Sequence, residues 1–125
     1  MKKKTVAIVG AGYVGIAVSI VLSVNNDIIL YDIDQTKVDL MNSGNSPIND
    51  EEMCVFFKAI KNDRCFTITS DATGVFRKSD YVVIAVPTNW NQTNHSLDIS
   101  ILCGVLDQIK RENETPIIII KSTLP

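Results

Sequence analysis

A glycine-rich turn between a strand-like and a helix-like segment is the feature that most constrains the fold of this chain. The turn has the sequence GAGYVG at Gly10–Gly15, and it joins the apolar segments Thr5–Val9 and Val14–Val24. In such a setting the first glycine permits a tight turn, the second lets a pyrophosphate approach the backbone, and the third lets a helix pack closely on a sheet. A glycine triplet alone is weak evidence, but between these two segments it predicts a dinucleotide site.

An acidic residue after the second apolar run supports this interpretation. The run Ile28–Tyr31 is followed by Asp32, about 20 residues beyond the turn, where a carboxylate that binds a ribose is expected. The helix after the turn would direct its unpaired N–H groups and the positive end of its dipole at the phosphates. Because a 2′-phosphate would face the Asp32 carboxylate, the sequence predicts NAD rather than NADP, although Lys37 would offset part of that repulsion.

The N-terminal lysines leave a competing interpretation, a secretory signal peptide or a membrane span. Met1–Lys4 is followed by the uncharged stretch Thr5–Asn26, as in such segments. Three glycines inside the stretch would weaken a spanning helix, and no small-residue cleavage site precedes Asn25. The next apolar run also ends on an acid, as the second strand of a dinucleotide fold does. We therefore predict a cytoplasmic protein without a membrane segment.

The composition predicts one globular domain. The chain has 125 residues, of which 46% are apolar and 21% charged, which is enough for a core without disulfide support. Its net charge of −2 gives no reason to expect nucleic acid or an anionic membrane as a partner. Cys54, Cys65 and Cys103 are scattered and odd in number, which favours a reducing cytoplasm and predicts no metal site. We expect Cys103 to be a buried thiol and His95 to lie on the surface.

Apolar runs alternate with helix-like segments, which predicts an α/β fold with a doubly wound parallel sheet of the Rossmann type. The predicted strands are Thr5–Val9, Ile28–Tyr31, Cys65–Thr69, Tyr81–Val86 and Pro116–Ile120. The predicted helices are Val14–Val24, Asp34–Asn42, Asp50–Lys61, Ala72–Arg77 and Ile99–Arg111. The continuous apolar runs of the last two strands predict that both of their faces are covered.

Five strands are one fewer than the six of a full doubly wound dinucleotide fold. The chain also ends directly after a strand that we expect to be central, so residues 1–125 are predicted to be a truncated N-terminal domain of a longer protein. Ligands of such sheets bind at the carboxyl ends of the strands, where the strand order switches. Thr88 and Thr123 follow two of the predicted strands, and we expect both hydroxyl groups at this edge to take part in binding.

Several motifs, in order along the chain, resemble the N-terminal NAD-binding domain of the UDP-glucose/GDP-mannose dehydrogenase family. Beyond the glycine turn they are YDID at Tyr31–Asp34, NSGNSPI at Asn42–Ile48, VPTN at Val86–Asn89 and KSTLP at Lys121–Pro125. The resemblance covers essentially the whole chain, and within the family it is strongest to the short bacterial UDP-glucose 6-dehydrogenases. The Ser-Pro-Ile segment and the Lys-Ser-Thr-x-Pro ending make the match specific.

The resemblance implies an oxidoreductase that oxidises the C6 alcohol of a UDP-sugar, UDP-glucose above others, with two NAD. The family's cysteine nucleophile belongs to segments after Pro125, so no catalytic residue is assigned here and this chain alone is predicted to be inactive. The nucleotide sugar would bind through the missing part, and the full-length protein would be a homodimer. By position, the implied cofactor-binding residues are Gly10, Gly12, Tyr13, Val14, Gly15, Asp32, Lys37, Thr88 and Thr123. Of these, Val14 and the glycine turn would hold the pyrophosphate, Asp32 and Lys37 the adenosine ribose, and the threonines the nicotinamide half.

Two alternatives share the opening half of the chain. One is a regulatory NAD-sensing Rossmann module, and the other is the cofactor domain of a hydroxyacid or hydroxyacyl dehydrogenase. Neither requires the Ser46–Ile48 segment or the Lys121–Pro125 ending, which disfavours both.

Overall fold

A parallel sheet with helices on both faces forms the molecule. The structure, a computed structural model, describes residues 3–112 and 116–122. Its strands are β1 Thr5–Val9, β2 Asp27–Tyr31, β3 Phe66–Thr69, β4 Tyr81–Ile84, β5 Trp90–Asn91, β6 Ser96–Leu97 and β7 Ile117–Ile120. Its helices are α1 Tyr13–Leu22, α2 Gln35–Asn42, α3 Glu51–Ala59 and α4 Ser100–Arg111.

The strand order confirms the predicted doubly wound fold. The large sheet has the order β3-β2-β1-β4-β7, and every neighbouring pair in it is parallel. At the centre, Ile8 of β1 pairs with Leu30 of β2 on one side and with Val83 of β4 on the other. The chain passes from one half of the sheet to the other between β1 and β4, so their carboxyl ends form the crevice in which such folds bind ligands.

Alternate residues of the central strands face two separate core layers. Val6 and Ile8 pack with α1, α2 and α3, whereas Ala7 and Val9 pack with α4 on the opposite face. In the first layer the ring of Phe56 makes edge-to-face contacts with Phe57 and Phe66 at centroid distances of 5.6 and 5.3 Å. Burial on both faces is what an apolar β1 without alternation predicts for a parallel sheet.

Asp50 caps the N-terminus of α3. The Asp50 carboxylate accepts a hydrogen bond from the backbone N–H of Met53 at 3.0 Å. We expect Asp50→Ala to lower the free energy of unfolding by about 1 kcal/mol, because that N–H loses its partner. Urea denaturation measures the change, and Asp50→Asn is the control because it keeps an accepting oxygen. Equal losses in both variants would contradict a capping role.

The predicted helix Ala72–Arg77 is wrong. The segment instead forms successive turns, in which Val75 N–H donates to Ala72 O at 3.1 Å and Lys78 N–H donates to Gly74 O at 3.1 Å. Gly74 has a φ of +74°, in the left-handed region, and an α-helix cannot continue through that conformation. The apolar pattern was correct about burial, since Val75 and Phe76 are core residues.

Within the described residues, the expectations that β7 is central, or nearly so, and that it is covered on both faces are also wrong. Ile117–Ile120 are 38–57% exposed, and β7 lies at the edge of the sheet with β4 as its neighbour. Among residues 3–112 and 116–122, no strand pairs with its outer side. An apolar run shows that a strand avoids water, but it does not specify which segment covers it.

Two surface predictions had different outcomes. His95 is exposed as expected, whereas Cys103 is exposed rather than buried. The helix α4 contacts the sheet through Leu102, Val105 and Ile109, and Cys103 is rotated about 100° away from Leu102 on the helix.

In the part of the chain that the structure describes, no helix is long and apolar enough to cross a bilayer.

A short hairpin that the sequence pattern did not indicate follows β4. The strands β5 and β6 are antiparallel, with Trp90 opposite Leu97. The Asn91 side chain accepts from Thr93 N–H at 2.9 Å inside the turn. At the base of the hairpin, Asp98 N–H donates to Asn89 O at 2.7 Å. The hairpin leads into α4, which returns across the second face of the sheet.

Candidate functional site

At two positions of the turn only glycine fits, because another part of the backbone lies too close to leave room for a Cβ atom. Gly10 has a φ of +106°, and a Cβ on it would lie 2.5 Å from the carbonyl oxygen of Ala85. A Cβ on Gly15 would lie 1.7 Å from the carbonyl oxygen of Gly10, well inside contact distance. The turn therefore lies against the chain after β4, and the first turn of α1 lies directly on the glycine turn. Both contacts fit the roles that the sequence predicts for the first and third glycines.

The second glycine differs because the space above it is open. Gly12 is the N-cap residue of α1, and among the residues that the structure describes no heavy atom outside its own neighbourhood lies within 4 Å of a Cβ placed on it. Its carbonyl oxygen accepts the first helical hydrogen bond, from Ile16 N–H at 3.0 Å. Gly12, Tyr13 and Val14 at the start of α1 all line a cavity, and the unpaired N–H groups of a helix N-terminus are a site at which phosphate can bind.

Asp32 joins the end of β2 to the glycine turn. Its Oδ2 accepts from Ala11 N–H at 2.7 Å, and its Oδ1 accepts from Asp34 N–H at 2.8 Å. The two bonds orient the carboxylate, which is half-buried at the carboxyl edge of the sheet. Each oxygen keeps a further lone pair, so the group can still accept from hydroxyl donors. The carboxylate is thus oriented before any ligand is bound.

A cavity of about 620 Å³ lies beside this carboxylate; we call it the Asp32 cavity. One wall comes from the glycine turn and the chain around Asp32, Ile33 and Lys37. The other wall comes from α4, through Ile101, Gly104 and Gln108, with Arg111 at the end of the helix. Mostly apolar walls with a few polar groups are typical of sites for small molecules and cofactors.

A second cavity, of about 370 Å³, lies over the start of α1; we call it the Thr88 cavity. It is lined by Gly12, Tyr13 and Val14 on one side and by Thr88 and Lys121 on the other. Both cavities include Val86 and Pro87 in their walls, so they adjoin along the carboxyl edge of the sheet. Together they form one groove that crosses the glycine turn.

The position of β7 beside the groove is fixed by a side-chain hydrogen bond. Ser122, just after β7, donates from Oγ to the carbonyl oxygen of Val86 at 2.8 Å. The bond joins the carboxyl ends of β4 and β7, and it places Lys121 and Ser122 in the wall of the Thr88 cavity. The edge predicted from the sequence is therefore assembled from these two strands as expected.

The structure gathers most of the predicted site residues in this groove. Gly15 lies beneath it in the contact with Gly10, and Thr123 lies outside the described residues. The predicted residues in the walls of the two cavities are Gly10, Gly12, Tyr13, Val14, Asp32, Lys37 and Thr88.

The contribution of α4 was missed. Ile101, Gly104, Gln108 and Arg111 all line the Asp32 cavity, yet none was a predicted site residue. Their spacing of three, four and three residues places them along one face of a helix. A glycine inside an otherwise helical pattern was the available signal, because it lowers helix stability without an evident packing reason.

Tyr31 forms part of the same wall as a neutral phenol. Burial raises the pKa of Tyr31 above its usual value, and the carboxylates of Asp32 and Asp71 raise it further. Its ring also makes an edge-to-face contact with Phe76 at a centroid distance of 6.3 Å. Asp32 therefore lies next to an uncharged group, and the negative charge at this end of the groove comes from the carboxylate.

Comparison with known proteins agrees with the motifs. Residues 4–125 match the NAD binding domain of the UDP-glucose/GDP-mannose dehydrogenase family. The chain is 37% identical over 122 residues to UDP-glucose 6-dehydrogenase from Campylobacter jejuni. The aligned region covers 96% of this chain and 30% of the relative. It is 29% identical over 120 residues to UDP-glucose 6-dehydrogenase from Streptococcus pneumoniae, with the same coverage of both proteins.

A solved structure of a related enzyme has the same fold over this region. The GDP-mannose dehydrogenase of Pseudomonas aeruginosa superposes with a TM-score of 0.85 at 27% identity, over 95% of this chain and 28% of that chain. This chain spans about 30% of the length of the two UDP-glucose 6-dehydrogenases that it matches. The family match indicates NAD as the cofactor, and it favours this family over both a sensing module and a hydroxyacid or hydroxyacyl dehydrogenase. The chain belongs to the UDP-glucose/GDP-mannose dehydrogenase family and corresponds to its NAD binding domain.

Proposed function

We propose that this chain holds NAD in the groove across the glycine turn, as the cofactor domain of a UDP-sugar 6-dehydrogenase. The observation that carries the proposal is the open space at Gly12, next to a carboxylate that is already oriented by Ala11 N–H at 2.7 Å. A Cβ at position 12 would occupy that space, whereas the same atom at positions 10 or 15 would collide with backbone. The open space at Gly12 thus fits a ligand, because no contact among residues 3–112 and 116–122 requires a glycine there.

Each part of the dinucleotide has a matching part of the groove. The N–H groups around Gly12, Tyr13 and Val14 would hold the pyrophosphate, with Gly10 and Gly15 shaping the turn beneath it. Asp32 and Lys37 would hold the adenosine ribose in the Asp32 cavity.

The nicotinamide half would lie in the Thr88 cavity, near the Thr88 hydroxyl group. We extend the same role to Thr123, which follows Ser122 in the sequence.

The chain's contribution to the chemistry is orientation. Bound NAD supplies a hydride acceptor. The protein groups fix the nicotinamide end against the edge of the sheet, which converts an encounter between two molecules into a reaction within one complex. In residues 1–125 we assign no nucleophile, general base or sugar-binding group. These functions belong to other segments of the full-length enzyme.

For the full-length protein we propose oxidation of the C6 alcohol of UDP-glucose to the carboxylate of UDP-glucuronate, with two NAD. The names of the two curated relatives support UDP-glucose over other nucleotide sugars. We further propose a homodimer in the cytoplasm, with the nucleotide sugar bound through segments beyond this domain. The scattered positions and odd number of Cys54, Cys65 and Cys103 support a reducing compartment for this proposal.

Calorimetric titration with NADH, and with NADPH in parallel, tests the cofactor site. We expect saturable binding of NADH and much weaker binding of NADPH, because the 2′-phosphate would face the Asp32 carboxylate. Gly12→Ala is the matched variant. It introduces a methyl group where nothing else clashes, so it should lower NADH affinity by about tenfold while the chain remains folded.

Two results would contradict the proposal. If the unaltered chain does not bind NADH while it remains folded by circular dichroism, the groove is not a dinucleotide site. If Gly12→Ala binds NADH as tightly as the unaltered chain, the phosphates do not lie over the start of α1.

A further inference from the structure

A basic cavity lies at the amino-terminal edge of the sheet; we call it the Lys4 cavity. Its volume is about 410 Å³. It lies where three neighbouring strands begin, since Lys4 precedes β1, Asp80 precedes β4 and Pro116 precedes β7. The strands are parallel, so the proposed NAD groove lies at their other ends. The length of the strands therefore separates the two sites.

The charges around this cavity are mostly positive. Lys4, Arg77 and Lys78 are exposed and line it, and Asp80 is the one carboxylate among the described residues of its wall. Three positive charges and one negative charge leave this wall with a net charge of +2, whereas the whole chain carries −2. Positive charge is thus concentrated at this cavity in a chain that is acidic as a whole.

The three cationic side chains have no counterion within the described chain. Among residues 3–112 and 116–122, the one ion pair joins Lys3 to Asp27. The Asp80 carboxylate is used elsewhere, because its Oδ2 accepts from Thr5 N–H at 2.9 Å. Like charges around one cavity repel each other, and a bound anion would offset that repulsion.

The turn that carries Arg77 and Lys78 is held by the core. The residue before them, Phe76, is buried, and the residue after them, Ser79, donates from Oγ to the carbonyl oxygen of Val75 at 2.7 Å. The backbone of the two cationic residues is therefore ordered before a ligand arrives. A ligand would need to order their side chains alone, which lowers the entropic cost of binding.

The chemistry of this wall favours a phosphate group. A guanidinium presents a planar set of donors that matches the oxygens of a phosphate, and lysine ammonium groups add point charges. A phosphate monoester carries a charge of about −1.5 to −2 at pH 7, which complements the wall. Small-molecule pockets have volumes of roughly 300–1,000 Å³, and a cavity at the lower end of that range suits a small ester.

We propose that the Lys4 cavity binds a small phosphate-bearing anion, held by Lys4, Arg77 and Lys78. No described residue lines both this cavity and the Asp32 or Thr88 cavity. The anion and NAD would therefore be bound without competition, and the inference does not rest on the proposed function. Asp80 limits the affinity, because its carboxylate lies in the same wall as the cations.

Titration with sodium phosphate, followed by the amide NMR spectrum at constant ionic strength, tests the inference. Phosphate can also bind at the start of α1, so the measurement must locate the site. We expect saturable shifts at Lys78, Ser79 and Tyr81, with a dissociation constant on the order of 1–10 mM for three exposed ion pairs. A parallel titration with glycerol 3-phosphate distinguishes the sources of the group: tighter binding than inorganic phosphate indicates an ester, and weaker binding indicates the free ion.

The double variant Arg77→Gln/Lys78→Gln removes two of the cations. We expect its affinity for phosphate at this cavity to fall by about tenfold. The matched control is Lys61→Gln/Arg64→Gln, which removes the same charges from exposed residues before β3, at the far edge of the sheet and outside the cavity wall. Its affinity should be unchanged. The amide spectrum of each variant also reports whether it is folded.

Asp80→Asn should have the opposite effect. It removes the one negative charge from the described wall but keeps an oxygen that can accept from Thr5 N–H. We expect phosphate affinity to rise by about threefold, because the bound anion no longer faces a carboxylate.

Three results would overturn the inference. The first is the absence of saturable shifts around the Lys4 cavity in the folded, unaltered chain. The second is an equal loss of affinity in the two double variants, which would indicate a general effect of net charge. The third is weaker binding in Asp80→Asn. NADH affinity should be unchanged in Arg77→Gln/Lys78→Gln, and failure of the unaltered chain to bind NADH would count against the proposed function alone.

Discussion

Gly15→Ala is expected to lower the free energy of unfolding by about 3–5 kcal/mol, a large part of the stability of an ordinary domain. A Cβ at this position would lie 1.7 Å from the carbonyl oxygen of Gly10 and 2.9 Å from its carbonyl carbon. Both are backbone atoms, so no side-chain rotation relieves the overlap. The helix α1 would have to move off the sheet, which exposes core residues such as Ile16.

Urea denaturation measures this loss, and Gly12→Ala is the control. Both variants replace a glycine of the same turn by alanine, but a Cβ at position 12 meets no atom of the described residues within 4 Å. We expect Gly12→Ala to lose no more than about 1 kcal/mol, the typical cost of a poorer N-cap residue. If the two variants unfold at the same urea concentration, the close contact between α1 and the turn does not limit stability.

Asp32→Ala is expected to reduce NADH affinity by about 100-fold and to remove most of the discrimination against NADPH. The carboxylate would accept from the ribose hydroxyl groups, and hydrogen bonds to a charged group contribute about 1.5–3 kcal/mol each. The same change removes the charge that would repel a 2′-phosphate. It also leaves Ala11 N–H without its acceptor, so we expect a loss of about 1–2 kcal/mol in the free energy of unfolding.

The control for Asp32→Ala is Asp34→Ala. Asp34 is the N-cap of α2, where its Oδ1 accepts from Thr36 N–H at 3.0 Å, and it is not part of the wall of the Asp32 cavity. Its removal should cost about 1 kcal/mol of stability and leave NADH affinity unchanged. Titration of both variants with NADH and NADPH separates the two roles. An unchanged preference for NADH in Asp32→Ala would show that the carboxylate does not select the cofactor.

Elements set by backbone constraints were predictable from the sequence. The strand Thr5–Val9 was predicted with its observed bounds, and the glycine turn folds as expected, because at positions 10 and 15 only glycine fits. The cap at Asp50 was predictable from residue type, since Asp is among the residues preferred at the N-cap, where its carboxylate accepts from a free N–H of the first turn. In these cases the residue types in the sequence indicate the local structure, although the contact that requires glycine at position 10 is made with Ala85, after β4.

Other elements were not predictable in the same way, and in two of the three cases the cause lies in distant parts of the chain. The segment Ala72–Arg77 has the apolar residues of a helix, but the left-handed Gly74 interrupts it. The apolar run Ile117–Ile120 predicted a strand, whereas its place at the edge follows from which segments are present to pair with it. The wall that α4 contributes to the Asp32 cavity depends on how the helix crosses the sheet; the glycine in its pattern could mark an unusual position, but it does not specify what that position faces.

The hydrogen bond between Asp32 and Ala11 means that much of the geometry of the proposed NAD site would be settled during folding. The turn is held to the end of β2 at 2.7 Å, so its conformational entropy is already lost when a ligand arrives. Association then requires little further ordering of this loop, which improves affinity without any added contact. Cofactor affinity would therefore be linked to the stability of the contact between Ala11, just after β1, and Asp32, just after β2. A substitution that weakens this contact would lower cofactor affinity without touching the ligand.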